Sequence, residues 1–85
     1  MQVSVDISLY PLHQDYIPQI DAFIALLNQE PDVQVVTNTL STQLYGEYET
    51  VMDLLAKAMG DHMTIHDDSV LTIKVLSGDR SHQNG

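Results

Sequence analysis

Short hydrogen-bonding side chains and flat aromatic rings gather in two stretches of the sequence. These are Asp6-Ile7-Ser8-Leu9-Tyr10-Pro11-Leu12 and Ser41-Thr42-Gln43-Leu44-Tyr45-Gly46-Glu47. Ser8, Asn38, Ser41 and Thr42 supply hydroxyl and amide groups, Glu47 a carboxylate, and Tyr10 and Tyr45 stacking surfaces. A planar heterocycle with an exocyclic amine calls for that set: a wall to stack on, an acceptor for its edge, and hydroxyls to orient it. The second stretch runs from a strand into a helix N-terminus, where free backbone N–H groups point outward. Each residue also has an ordinary structural use. Ser41 and Thr42 suit a strand, Gly46 a turn, and Glu47 the first turn of a helix.

Other chemistry is poorly provided for. Nucleophilic catalysis needs an activated Ser, Thr or Cys beside a base. The chain has no cysteine, and its histidines at 13, 62, 66 and 82 fall in connections, a helix end or the tail, away from the Ser/Thr cluster. The expectation is a protein that is not an enzyme and needs no cofactor. His62 and His66 stand four apart and would share a helix face, the spacing of a metal pair. Gly60 and Thr64 weaken that helix, so a solvated connection is the preferred reading and no metal site is expected.

Composition narrows the partners. Twelve Asp and Glu oppose three Lys and Arg, for a net charge of −9, and no Lys or Arg precedes Lys57. Nucleic-acid affinity is built on basic side chains, so that class is excluded, and an anionic membrane surface is disfavoured likewise. No apolar run approaches the ~18 residues that span a bilayer. The alternating start lacks a basic leader, and the absence of cysteine gives no sign of secretion, so the expected location is cytoplasmic. A tight clamp on a phosphate ester would have to rest on backbone N–H groups, which favours unphosphorylated ligands.

The elements that must position these residues follow from periodicity. Val3, Val5, Ile7 and Leu9 alternate with polar neighbours as a half-buried strand does, with Pro11 at its exit. Asp15 is a plausible cap for a helix whose stripe is Tyr16, Ile20, Phe23, Ile24 and Leu27. Extended runs over 33–38 and 40–45 flank Asn38 and Thr39, the pattern of a tight hairpin, and Gly46 ends the second run. A second helix carries Val51, Leu54, Leu55, Ala58 and Met59 inward and stops at Gly60 or near Ile65. A turn at 67–69 leads to a last strand over 70–76, and residues 77–85 hold no aliphatic or aromatic side chain, the composition of a frayed tail.

The order β-α-β-β-α-β predicts an α+β, ferredoxin-like domain over residues 1–76, with both helices on one face of a four-stranded antiparallel sheet. Asp6, Ser8, Tyr10, Gln43 and Tyr45 would line the other face. That mixture of polar groups and aromatics suits a surface covered by another copy, so a homo-oligomer, a dimer or a tetramer, is expected.

At DISLYPL, LSTQLYGEY and the helix opening YETVMDLL, the sequence resembles the YkoF-like thiamine-binding, or hydroxymethylpyrimidine-binding, proteins. The resemblance covers most of residues 2–60. It implies a ferredoxin-like fold, oligomers of such domains, and binding of thiamine or its pyrimidine half without chemistry. It implies ligand contacts at Ser8, Tyr10, Ser41, Thr42, Gly46 and Glu47; Asn38 and Tyr45 are added from their chemistry. The competing reading is a structural or regulatory oligomerisation module that uses the open sheet face and binds no small molecule. Strand parity poses a geometric problem for one shared pocket. Thr42 shares a face with Leu44, toward the helices, whereas Ser8 and Tyr10 point away from them, so a common pocket must lie at a strand end or borrow from a partner copy.

Overall fold

Alternating aliphatics build the sheet, and the computed structural model of the chain describes residues 1–12, 17–66 and 68–81. Six elements follow in order: β1 (Gln2–Pro11), α1 (Ile17–Leu27), β2 (Gln34–Thr37), β3 (Thr42–Glu47), α2 (Tyr48–Ile65) and β4 (Ser69–Ser77). The sheet order is β2-β3-β1-β4, and every pairing is antiparallel. This is the ferredoxin-like α+β arrangement. Central β1 pairs Val5 with Leu44 on one side and Val75 on the other, and Ile7 with Thr42 and Ile73. Opposite residues share a face, so one register commits Val3, Val5, Ile7 and Leu44 to the helices. There they meet Phe23, Leu27, Val51, Leu54, Leu55 and Ala58 in a single core. Leu27, Leu44 and Val51 are fully buried, and each such side chain contributes about 1.5–3 kcal/mol by leaving water.

The structure changes three local expectations and decides between the two ends open to α2. The connection between β2 and β3 is a four-residue turn over 38–41, not a two-residue hairpin. The Asn38 carboxamide oxygen accepts from the backbone N–H groups of Leu40 (3.1 Å) and Ser41 (3.2 Å), which draws Leu40 and Ser41 out of the strand. Gly46 does not end β3; the strand runs on through Glu47, and α2 begins at Tyr48 without a side-chain cap. Gly60 does not stop α2, which continues to Ile65. Nothing lies within 4 Å of a Cβ placed at Gly60, so the glycine sits on the solvent side and merely weakens a helix held by its other face.

The third change concerns the tail. Past Ser77 the chain turns at Gly78 (φ 86°), a left-handed conformation that glycine adopts without steric cost. It then crosses the end of β1. Gly78 N–H donates to the Gln2 carbonyl, Ser4 Oγ donates to the Gly78 carbonyl, and Arg80 N–H donates to Ser4 Oγ, each at 2.8 Å. Residues 78–81 are therefore fastened by hydrogen bonds rather than by apolar packing, and they bury Ser4. The expected cap Asp15, with Tyr16, His13 and His82, lies outside the described residues.

Candidate functional site

Strand parity separates the predicted ligand residues, and one strand end reunites several of them. Thr42, the first residue of β3, faces the helices beside Ile7 and opposite Thr37. Ser8 and Tyr10 face the other way, but they lie where β1 runs out beyond β3. Between that strand end, the turn over 38–41 and one flank of α1 lies a cleft of about 140 Å³. Ile20, Phe23 and Ile24 form its helical wall, and Ile7 and Leu9 its floor. Ser8, Tyr10, Asn38, Ser41 and Thr42 all line it. A dry cavity of about 150 Å³ admits benzene, so this space suits one substituted six-membered ring. It falls short of the ~300 Å³ that begins to enclose a drug-sized ligand.

The polar groups of the cleft are unequally available. Thr42 is 6% exposed, and its Oγ1 lies 3.3 Å from Thr37 Oγ1, the pair sharing one hydrogen bond. Each hydroxyl keeps spare acceptor capacity. Ser8 Oγ has no hydrogen-bond partner among the described residues. Tyr10 stands exposed at the rim. Asn38 and Ser41 are instead engaged in a network on the outer sheet face. Asp6 accepts from Ser41 Oγ at 2.5 Å and from Gln43 Nε2 at 2.9 Å, while Asn38 Nδ2 donates to Gln43 Oε1 at 2.9 Å. The Ser41 hydroxyl holds the Asp6 carboxyl below its ordinary value, partial burial opposes the shift, and Gln43 and Lys74 add to it. Asp6 and Gln43 were not among the sequence-derived candidates. Their signal was available, since both are outward residues on neighbouring strands and pair directly in register.

Tyr45, Gly46 and Glu47 lie at the opposite end of β3. Glu47 lies five residue steps beyond Thr42, about 17 Å along a strand. The β3–α2 junction is packed rather than hollow: a Cβ at Gly46 would meet Val51 Cγ2 at 3.2 Å and the Asp32 carbonyl at 3.3 Å. Glu47 is exposed and bonds the N-terminal ammonium of Met1 at 2.8 Å, an interaction that lowers its carboxyl from the ordinary value. Tyr45 is half-buried on the outer face, opposite Ser4 and Gln34. The expected site thus divides into five residues at the cleft and three at the far junction.

His62 has a different place from the expected solvated connection. It is 2% exposed, because α2 continues past Gly60 and turns this position toward α1. Its Nε2 lies 3.1 Å from Ser69 Oγ, and its ring meets that of Phe23 nearly edge-on, with centroids 5.3 Å apart. Burial lowers its pKa, and the neighbouring His66 ring, 4.9 Å away, adds to that. His62 therefore backs the Phe23 wall of the cleft. Among the described residues, no group of three or more His, Cys, Asp or Glu is placed to hold a metal ion, and no helix is long and apolar enough to cross a membrane.

A larger groove of about 500 Å³ runs between α1 and α2 along their outer flank, lined by Glu30, Asp32, Asp53 and Asp61 among others. Lys57 Nζ lies 3.8 Å from Asp61 in it. None of the stacking or hydroxyl groups above reaches this groove, so the smaller cleft is the candidate site.

Comparison with known proteins agrees with this architecture. The YKOF-related family matches residues 2–79. No curated protein matches the chain. A crystal structure of a Streptococcus pneumoniae protein superposes with a TM-score of 0.85 at 27% identity, covering 96% of this chain and 92% of that one. A candidate thiamine biosynthesis/salvage protein of Thermotoga maritima gives 0.81 at 20% identity, over 92% and 85% of the two chains. A hypothetical protein of Methanocaldococcus jannascii gives 0.78 at 20%, over 92% and 81%.

Proposed function

The chain belongs to the YKOF-related family, and from that premise we propose that it is a non-catalytic binding protein for thiamine or its hydroxymethylpyrimidine half, a carrier, buffer or sensor. One observation carries the reading: Phe23 and Ile24 form an apolar wall of a cleft that Thr42 and Ser8 also line, in a volume that suits a single ring. A pyrimidine stacked there gives its edge to hydroxyls that can donate to a ring nitrogen or accept from an exocyclic amine. The thiazolium of thiamine would remain at the mouth, near the exposed Tyr10, where a molecule of net charge −9 is hospitable to a cation. The name of the Thermotoga maritima structure supports a thiamine-related role.

No Asp, Glu, His, Lys or Arg lines the described cleft. The proposed role is binding without proton transfer, which calls for no cofactor, and the three Lys and Arg of the chain, none before Lys57, favour unphosphorylated ligands over phosphate esters. Calorimetry tests the proposal directly. Thiamine or hydroxymethylpyrimidine should saturate near one ligand per chain, and no saturable heat with either would overturn it. Thermal shift separates it from an oligomerisation module that binds no small molecule. A ligand at ~100 times its dissociation constant adds about 2.7 kcal/mol of stability, whereas an inert module would not respond.

A further inference from the structure

Among the described residues no acidic, basic or imidazole side chain lines the cleft, yet one imidazole stands directly behind it. Phe23 is the intermediary: almost wholly buried, it lines the cleft and meets the His62 ring nearly edge-on. A second link runs through the sheet. The Ser69 hydroxyl, 3.1 Å from His62 Nε2, belongs to the residue that opens β4 opposite Pro11, and the next pair in register is Val70 with Tyr10 at the cleft rim. His62 thus touches one wall and reaches the β1 end of the cleft through a hydrogen bond and a strand pair.

A proton on this ring would strain both links. Neutral imidazole carries one N–H, which the Ser69 hydroxyl can accept; imidazolium carries two, and Ser69 is the one hydrogen-bond partner of His62 among the described residues. Few charges are at hand to compensate. His66 is the titratable neighbour on α2, and the acids and Lys57 of that helix are exposed. The one charged residue of α1 is Asp21, exposed; that of β4 is Lys74, on the outer sheet face opposite Asp6; half-buried Asp68 precedes Ser69. We propose that His62 is a positioning residue for the cleft, holding Phe23 in place while neutral and releasing the ligand when it takes up a proton. This regulation rests on the cleft being the site for thiamine or hydroxymethylpyrimidine. By reciprocity, a proton that loosens the ligand is itself loosened by the ligand. Burial, with the neighbouring His66, already lowers the pKa of the ring from 6.5, and an occupied cleft lowers it further. Affinity is therefore constant above about 6.5 and falls with pH once the empty protein takes up the proton.

Calorimetry at pH 7.5 and 5.5, with whichever of thiamine and hydroxymethylpyrimidine saturates at pH 7.5, reads the effect. Across that interval the unmodified chain should lose at least about fivefold more affinity than His62→Gln, the lower end of typical coupling between two sites. Titration of the ligand itself is common to both proteins and cancels in the comparison. His66→Gln, which leaves the buried ring in place, should lose affinity as the unmodified chain does. NMR supplies the reciprocal measurement. The His62 ring should titrate at lower pH with saturating ligand than without it, a displacement that a merely structural ring would not show. Equal losses in the unmodified chain and His62→Gln, a loss abolished by His66→Gln instead, or a His62 titration indifferent to ligand overturns the proposal and leaves the binding function standing. Absence of saturable heat at pH 7.5 removes the binding function and this regulation with it. If His62→Gln does not fold by circular dichroism, the NMR titration of the unmodified chain decides alone.

Discussion

Phe23 and His62 meet ring to ring at 71°, centroids 5.3 Å apart, so a wall of the candidate cleft rests on a buried imidazole. The contact joins α1 to α2 behind the cleft, while the Ser69 hydroxyl ties the same imidazole to the start of β4. A neutral ring fits this place; an imidazolium would be desolvated and set beside His66.

His62 therefore makes stability depend on pH near neutrality. Its folded pKa lies below the ordinary 6.5, so between those two values the unfolded chain binds more protons than the folded one. The contribution is complete above about 6.5 and is lost as pH falls toward the folded pKa. Melting temperatures should drop between pH 7.5 and 5.5, and His62→Gln, which cannot charge, should flatten that slope. The lowered Asp6 carboxyl acts in a separate, more acid window, at and below its ordinary 3.8.

Thr42 and Glu47 give opposite predictions for binding. Thr42→Val removes a buried hydroxyl from the cleft and should weaken thiamine or hydroxymethylpyrimidine binding by about 1 kcal/mol or more, roughly fivefold. Glu47→Gln, at the far end of β3, should leave affinity within about twofold. Calorimetry on the pair locates the ligand: the reverse outcome would put it at the β3–α2 junction.

Asn38 shapes the cleft through backbone geometry. Its carboxamide oxygen holds two N–H groups of the turn. Asn38→Ala should cost about 1–2 kcal/mol of stability, on the scale of losing a comparable cap. It should also weaken ligand binding, because the turn forms one rim. Urea titration and calorimetry on the same sample check both effects.

Gly46 is a packing requirement. Gly46→Ala would push a methyl group against Val51 and the Asp32 carbonyl, and overpacking of this kind costs about 1–3 kcal/mol. The denaturation midpoint should fall while the fold, read by circular dichroism, is retained.

Much of this architecture was legible in the residues. The alternation from Val3 to Leu9 and the stripe from Val51 to Ala58 are periodic signals strong enough to fix strand and helix, and the strand and helix order then fixes the topology. What escaped was decided by contacts distant in sequence. His62 looks like a surface residue until α2 is known to carry it against Phe23. Gly46 looks like a terminator until Val51 and Asp32 crowd it from two sides. For the candidate site, residue types pointed to five positions, Ser8, Tyr10, Asn38, Ser41 and Thr42, that lie around one cleft. Sequence proximity also drew in Tyr45, Gly46 and Glu47, which the length of β3 carries away. Strand alternation already put Asp6 and Gln43 on the open face; that they stand directly opposite each other comes from the β1–β3 register.

The rim of the cleft formed by residues 38–41 has a kinetic consequence. A guest sealed deep inside the fold could leave only when large parts of the molecule come apart. Here one boundary is a short bend held by hydrogen bonds at its two ends, Asn38 and Ser41, with the exposed Leu40 between them, so a small excursion of that bend is enough to open a door. Exchange would then run on the clock of a loop, fast and mild, with the sheet behind it undisturbed.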